Sequence, residues 1–329
     1  MGKTGSRILR AAKIALAATL FAMLLAHVGY RPIARVFGQL DWWWLPVLLG
    51  VRVIALFLQS QRWRLFLASH DIRTSSGQLF KSYWIARFFG SFSPGQIGGD
   101  AYRVLYGVGP SAKRTLVAGS VLIERVSGMI GLMGVVAGVG YLHFDVVKAA
   151  GLQFLPIAAM IGAGALLMLA IIRAPARWGL AAARALPGSR IGSTVSGVFR
   201  AFIVHVDRPA TLAIGVLLGM VFYFVLGCEA LLAFHALGVE VDPALVWLVV
   251  PTIALLSSVP ITINGWGTTE AASFLLYTQL GVSGPAALSI ALLTRVSSTL
   301  MTACGGLILI AEYWQKLLPF YVKIKTHRT

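Results

Sequence analysis

Charge is what this chain has least of. Only 12% of its 329 residues are Asp, Glu, Lys or Arg, and the acids number 11 against 28 basic residues. A soluble domain carries roughly 25% charged residues, so that class is excluded. Cysteine is nearly absent as well. Cys228 and Cys304 lie far apart in apolar segments without metal-ligand spacing, which argues against a zinc or redox site and reads as two packed thiols. The six histidines form no H-E-x-x-H pair, and the chain holds no P-loop, G-x-S-x-G elbow or Rossmann fingerprint. Neither a metal nor a cofactor is expected.

What is present is apolar. Hydrophobic residues make up 58% of the chain, and the mean hydropathy is +0.82. Runs long enough to cross a bilayer recur throughout, so the fold class is all-α, a polytopic helical membrane protein. The net charge of +17 does not point to nucleic acid, because the basic residues cluster between the apolar runs. That is the positive-inside pattern, facing an anionic lipid surface.

In chain order, a basic start leads into a first span ending near Val28, with no small-x-small cleavage site behind it. A short loop with Trp42, Trp43 and Trp44 reads as an interfacial belt. Further spans are expected at 45–67, 115–142, 154–172, 210–236 and 285–311, with a near-uncharged loop at 143–153. A basic connector at 173–208 is expected to lie on the cytoplasmic surface as two amphipathic pieces. Two apolar stretches are broken. One, 78–107, contains SFSPGQIGGDAYR at 91–103; the other, 244–281, contains Pro251, Pro260, Asn264, Gly265, Gly267 and Glu270. Broken helix at membrane depth persists only where protein or a water-filled cavity covers it.

Sorting the 28 basic residues places 21 on the side assigned as cytoplasmic, three outside and four inside apolar segments. Both N- and C-termini are then cytoplasmic in a multi-pass protein. Both ends of 78–107 are basic and both ends of 244–281 lie outside, so each is expected to be a re-entrant hairpin, entering from opposite faces.

The chain also repeats internally. One constant offset aligns Gly95 with Gly265, Asp100 with Glu270, and Arg125-Val126-Ser127 with Arg295-Val296-Ser297, with no gap needed. An offset shorter by a single position joins Val47–Gly50 to Val216–Gly219. Each half reads span, broken hairpin, span, and the odd fourth span reverses the second half. The expected organisation is one membrane domain over 1–329: an N-terminal span and loop (1–44), repeat 1 (45–142), the fourth span and connector (143–209), repeat 2 (210–312) and a basic tail (313–329). Inverted-topology repeats of this kind set broken helices face to face near the midplane of transporters.

PGQIGGDAYR, then LIERVSG, then PITINGWGTTEA in the second half resemble the membrane region of lysylphosphatidylglycerol synthase/flippase proteins and their stand-alone relatives, the hopanoid-associated membrane proteins among them. The resemblance runs from about Trp63 to Ala311. It implies lipid translocation across the inner membrane, or a membrane module for a lipid-modifying partner. No soluble aminoacyl-transferase domain is read in the chain, so aminoacylation of lipid is not expected, and no headgroup identity carries over.

Eight ionisable residues fall within apolar segments: Arg52, Arg87, Asp100, Glu124, Arg125, Glu229, Glu270 and Arg295. Each costs about 2.5–3.5 kcal/mol at the bilayer centre on insertion scales, so they are expected to face inward, paired or hydrated. One reading is a polar cavity between the halves. The hairpin backbones at Pro94, Gly95, Gly98 and Gly99, and at Pro260, Gly265 and Gly267, aim helix N-termini inward. Arg125 and Arg295 then offer bidentate donors to a phosphodiester, with Asp100 and Glu270 holding them while the site is empty. The plainer reading is that Asp100–Arg125 and Glu270–Arg295 merely lock each hairpin to its span. Glu124 and Arg125 are helix neighbours about 100° apart and face different partners. Arg87 is read as snorkelling to the interface or serving the site. Arg103 is read as meeting lipid headgroups at the cytoplasmic edge, Asn264 as a helix cap or ligand contact, and Trp84 and Trp266 as packing anchors.

Three functions remain open: a lipid flippase or transporter, a membrane enzyme using Asp100 and Glu270 as a carboxylate pair, and a non-transporting partner of a lipid-synthesis enzyme docked through 173–208. The expected ligands are membrane lipids with anionic or zwitterionic headgroups. A homo-oligomer is compatible with all three.

Overall fold

The computed structural model describes residues 26–171 apart from 39, 94, 110 and 111, and residues 208–326 apart from 260, with short pieces of 15–23, 181 and 196–204. Most of the expected first span, most of the connector 173–208 with its two surface pieces, Pro94 and Pro260 lie outside the described residues. Among the described residues every regular element is a helix. In chain order these are α1 (Tyr30–Gly38), α2 (Trp44–Ala68), α3 (Ser76–Ser91), α4 (Ile97–Tyr106), α5 (Arg114–Leu142), α6 (Phe144–Ala149), α7 (Phe154–Ile171), α8 (Pro209–Ala236), α9 (Pro243–Ser258), α10 (Thr268–Gln279) and α11 (Gly284–Thr326).

The helices α2, α5 and α8, with the first 29 residues of α11, are long and apolar enough to cross a membrane. At 1.5 Å per residue even the shortest of them, α2, extends about 38 Å, more than the ~30 Å hydrocarbon core. The chain is a membrane protein. By contrast α3 and α9 have 16 residues each, α4 has 10 and α10 has 12. No single one of these spans the core, and each occurs in a broken pair.

Local chemistry sets the breaks. Ser75 starts α3 by accepting the Gln78 N–H at 3.2 Å, and Asp242 starts α9 by accepting the Ala244 N–H at 2.8 Å, with Pro243 in the first turn. The first break turns through Gly95 (φ 59°) and Gln96 (φ 60°), the second through Asn264 (φ 52°) and Gly265 (φ 70°). Left-handed backbone suits glycine, and Asn tolerates it; Gln96 adopts it at about 1–2 kcal/mol. After its turn α4 doubles back along α3. A side chain at Gly98 would press on the Phe89 carbonyl (2.6 Å) and one at Gly99 on the Ala86 carbonyl (2.5 Å), while Phe89 stacks on Tyr102 and the Ser82 hydroxyl donates to the Gly107 carbonyl at 2.9 Å. These pairings run in opposite directions along the two pieces, which is a helical hairpin.

The order long helix, broken pair, long helix occurs twice, as α2–α5 and α8–α11. Helix α5 begins at Arg114 and α11 at Gly284, the same offset that aligns Gly95 with Gly265. The main neighbour relations pair off in the same way. Helix α2 packs on α8. Helix α3 of the first half packs on α11 of the second, and α9 of the second on α5 of the first. Helix α2 packs on α11 as α8 does on α5, and α2 on α5 as α8 does on α11. Exchanging each helix for its counterpart turns every one of these relations into another of them. The shared core holds Leu48, Leu248 and Ile290 with no exposure and Phe234 with almost none.

Several expectations need correction. Helices α1 and α6 occupy stretches read as loops; Ile33 and Val147 are buried, and Val36, Phe37 and Val146 pack against the core. The stretch read as a tail from 313 is helical to Thr326 as part of α11, with Pro319 inside it. The thiols are not both core thiols: Cys228 is half-buried and Cys304 is exposed on α11. A thiol is apolar enough to face lipid, so its presence in an apolar run does not specify a direction.

Helices α5 and α8 approach through glycine. A Cβ at Gly131 would lie 2.7 Å from the Val216 carbonyl oxygen, whereas one at Gly138 would meet nothing within 4 Å. Gly131→Ala is therefore expected to destabilise the fold by about 1–3 kcal/mol through overpacking. Gly138→Ala is expected to be neutral or stabilising by up to about 1 kcal/mol. Thermal unfolding of the two variants in detergent checks this; equal midpoints would remove the glycine contact as the reason for the close approach.

Candidate functional site

The embedded arginines need carboxylates, and the broken pairs supply two of them. Asp100 is the fourth residue of α4 and Glu270 the third of α10, each beside an N-terminus whose free N–H groups favour negative charge. Arg125 donates Nε to Asp100 Oδ2 at 2.6 Å, with Nη2 2.5 Å from the same oxygen, and Nη2 also donates to the Gly95 carbonyl at 3.1 Å. Arg295 donates Nε to Glu270 Oε1 at 2.5 Å and its two terminal nitrogens to the Asn264 and Gly265 carbonyls, each at 3.2 Å. The same device thus appears twice: an arginine from the long helix holds both the acid of the short helix and the carbonyls of the break. Glu270 has a second task. Its Oε2 accepts the Gly267 N–H at 2.7 Å, closing the start of α10.

Both arginines lie at equal depth in their helices. Arg125 stands as far past Arg114, the start of α5, as Arg295 stands past Gly284, the start of α11. That is about three turns, or about 17 Å, along each helix. The two pairs differ in access. The side chains of Arg125 and Asp100 are 44% and 25% exposed, those of Arg295 and Glu270 only 10% and 1%. Trp266 contributes to covering the second pair, with the Arg295 guanidinium 4.9 Å from its ring centroid.

Around these pairs sit two further clusters. Glu124 faces different partners from Arg125 and is buried with Arg62, Arg103 and Tyr83. Arg62 Nη2 donates to it at 2.9 Å, the Tyr83 hydroxyl at 2.6 Å, and Arg103 Nη2 forms a short ion pair with its other oxygen. The Arg103 guanidinium lies between the Trp63 and Tyr83 rings, 4.2 and 4.3 Å from their centroids, and reaches Asp100 at 3.5 Å. It therefore links the Glu124 cluster to the first pair. In the second half, Glu229 accepts from Arg52 at 2.7 Å and from Ser297 at 2.8 Å, while Arg52 Nη2 donates to the Thr294 carbonyl at 3.1 Å.

The candidates from sequence fall into three groups. Asp100, Arg125, Glu270, Arg295, Gly95, Gly265 and Gly267 meet in the two matched pairs, with Gly98 and Gly99 giving the close helix approach behind the first. Arg103 is corrected: it is buried on Glu124 rather than placed at a headgroup edge, because two aromatic rings and a carboxylate outweigh hydration there. The Arg87 guanidinium turns toward Ser298 on α11, at 3.5 Å, where α3 and α11 pack. Asn264 caps nothing through its side chain; it contributes its carbonyl to Arg295. Trp84 is a packing anchor, donating Nε1 to the Met301 carbonyl at 2.8 Å.

Sequence reasoning missed Arg62, which stands at the end of the second expected span. Its signal was indirect. Gly128 on α5 and Gly219 on α8 leave room for its guanidinium, whose nitrogens come to 2.9 and 3.1 Å from where their Cβ atoms would be. Ser297 was in the repeated Arg-Val-Ser motif but unassigned; it holds Glu229.

Comparison with known families agrees with this architecture. Residues 10–306 match the family described as the lysylphosphatidylglycerol synthase TM region. The chain belongs to that family. The match reaches further toward the N-terminus than the resemblance read from the sequence, which begins at about Trp63. No curated protein and no solved structure matches the chain. As a member of the lysylphosphatidylglycerol synthase transmembrane family, the chain has a membrane-lipid-related function.

Removing Glu124 leaves Arg62 and Arg103 buried without their shared counter-charge. Glu124→Gln is expected to cost about 3–5 kcal/mol, whereas Arg125→Gln, at the exposed pair, is expected to cost about 0–1 kcal/mol. Chemical denaturation in mixed micelles measures both; a larger loss for Arg125→Gln would reverse the assignment of which pair is structural.

Proposed function

We propose that this protein is a lipid flippase, moving a polar-headgroup lipid between the leaflets of the inner membrane with both termini cytoplasmic. The observation that carries this reading is the duplicated arginine–carboxylate lock, open in one half and closed in the other. Two inverted repeats that exchange conformations would exchange these exposures, giving a headgroup access first from one side and then from the other. The paired-off helix contacts support such a two-fold relation, and the short broken pairs support re-entrant hairpins entering from opposite faces. Within this reading 45–142 and 210–312 are the two repeats of one membrane domain.

The chemistry fits a headgroup rather than a reaction. Both carboxylates of the locks are engaged by arginine, which leaves neither positioned as a free general base. As the headgroup enters, its phosphate takes over donors that the resting pair satisfies internally, so a guanidinium need never lose all its partners at once. The acyl tails remain in the bilayer, and only the polar group follows the charged path.

Reconstituted into vesicles, the wild-type protein is expected to accelerate exchange of fluorescent phospholipid between leaflets. Arg125→Gln with Arg295→Gln is expected to lower that rate at least about tenfold, the loss of charge-assisted bonds worth about 1.5–3 kcal/mol each. Wild-type exchange by the double variant would sink the proposed path.

A further inference from the structure

We propose that Arg103 is a positioning residue for the open lock: it alone holds the Asp100 carboxylate when Arg125 lets go, so that Arg125 can turn to an incoming group without leaving an unpaired acid behind. The proposal rests on the reading that the lock opens to admit a headgroup, and it names the residue that lets it open.

Asp100 has two holders, and they differ in kind. The exposed Arg125 reaches it from α5 and donates Nε to Oδ2 at 2.6 Å. The buried Arg103 stands on α4 itself, one turn on from Asp100, with Nη1 3.5 Å from the other oxygen, Oδ1. Arg103 is fixed in place. Its guanidinium lies between the Trp63 and Tyr83 rings, and Nη2 is paired with Glu124. It nevertheless has bonding capacity to spare: Nε is buried without a hydrogen-bond partner among the described residues, and 3.5 Å is the outer limit of a hydrogen bond. A contact that long can tighten to about 2.8 Å once Arg125 no longer draws the carboxylate toward α5.

The other half lacks this arrangement. The offset that matches the two locks aligns Arg103 with Ser273 and Glu124 with Thr294, so neither the second arginine nor the acid that fixes it is repeated. Among the described residues Glu270 is paired with Arg295 and with no other cation, and its further bond is to the Gly267 N–H. Releasing Arg295 would leave a buried carboxylate without a counter-charge, which is strongly destabilising. Releasing Arg125 leaves Asp100 with a charge-assisted bond still in place. The lock that stands open is thus the one whose acid is shared between two arginines.

The test uses the purified full chain in neutral detergent and compares thermal unfolding midpoints. Adding Asp100→Asn to Arg125→Gln is expected to lower the midpoint by about 2 °C or more, because it removes the bond that Arg103 has taken over. An equal or higher midpoint overturns the proposal, since an acid left to water loses nothing on neutralisation and an unpaired one gains. In Arg103→Lys with Arg125→Gln, the same Asp100→Asn change is expected to raise the midpoint. A lysine is a single point of charge, stays with Glu124 and cannot fork to a second carboxylate. No rise in that background overturns the proposal too. If Arg103→Lys does not fold, the first comparison, which leaves Arg103 intact, decides alone. Leaflet exchange in vesicles separates positioning from a merely structural role. Arg103→Lys is expected to slow exchange about fivefold, and adding Asp100→Asn to restore most of the rate, because a neutral side chain needs no second holder. Wild-type exchange by Arg103→Lys, or no recovery with Asp100→Asn, overturns the proposal. No exchange by the wild type refutes the transport reading, while the midpoints still decide what holds Asp100; exchange by the wild type with midpoints of the opposite sign refutes this proposal and leaves that reading standing.

Discussion

A guanidinium removed from water must find a carboxylate, a carbonyl or an aromatic face, and this structure is arranged around that requirement. The helix breaks bring carbonyl oxygens and an acid to the middle of the protein, where an unbroken helix would have satisfied its own carbonyls. Arg125 and Arg295 use both kinds of acceptor at once. The breaks and the arginines therefore depend on each other: without the turns the arginines lose their acceptors, and without the arginines the turn carbonyls lose their donors.

The same requirement explains why the two halves interlock. Helix α2 carries Arg52 to Glu229 and Ser297 of the second half, and Arg62 to Glu124 of its own. Arg62 also lies against Gly128 and Gly219, one glycine from each half, so a single guanidinium occupies the junction of α2, α5 and α8. Polar ties of this kind resist separation of the helices, while the more open Asp100–Arg125 pair is held by fewer surrounding atoms. Stiffness and access are thereby placed in different parts of one charged network.

Much of this was legible beforehand. The constant offset between the halves predicted that Asp100 and Arg125 would behave like Glu270 and Arg295, and each acid does meet its arginine together with the glycine carbonyl at the aligned position. Helical angle alone separated Glu124 from Arg125, and they do face different partners. Less legible were residues whose surroundings come from other helices. Arg62 and Arg103 stand at the ends of apolar runs, where a basic residue ordinarily meets headgroups. Burial there required Trp63, Tyr83 and Glu124 to converge from three elements.

By itself the sequence determined the helical membrane class, four of the expected spans and the offset that aligns the two halves, because each of these depends on hydropathy and spacing along one chain. Long apolar runs become helices in a medium that offers the backbone no other partner, and glycines at fixed offsets mark where such helices must break. Only the tertiary structure decided which acids Arg52, Arg62 and Arg103 meet, which pair stands open, and that Arg87 has no carboxylate partner among the described residues. Those outcomes depend on distances between helices that no local pattern encodes, since one acid can serve two arginines and leave a third unpaired.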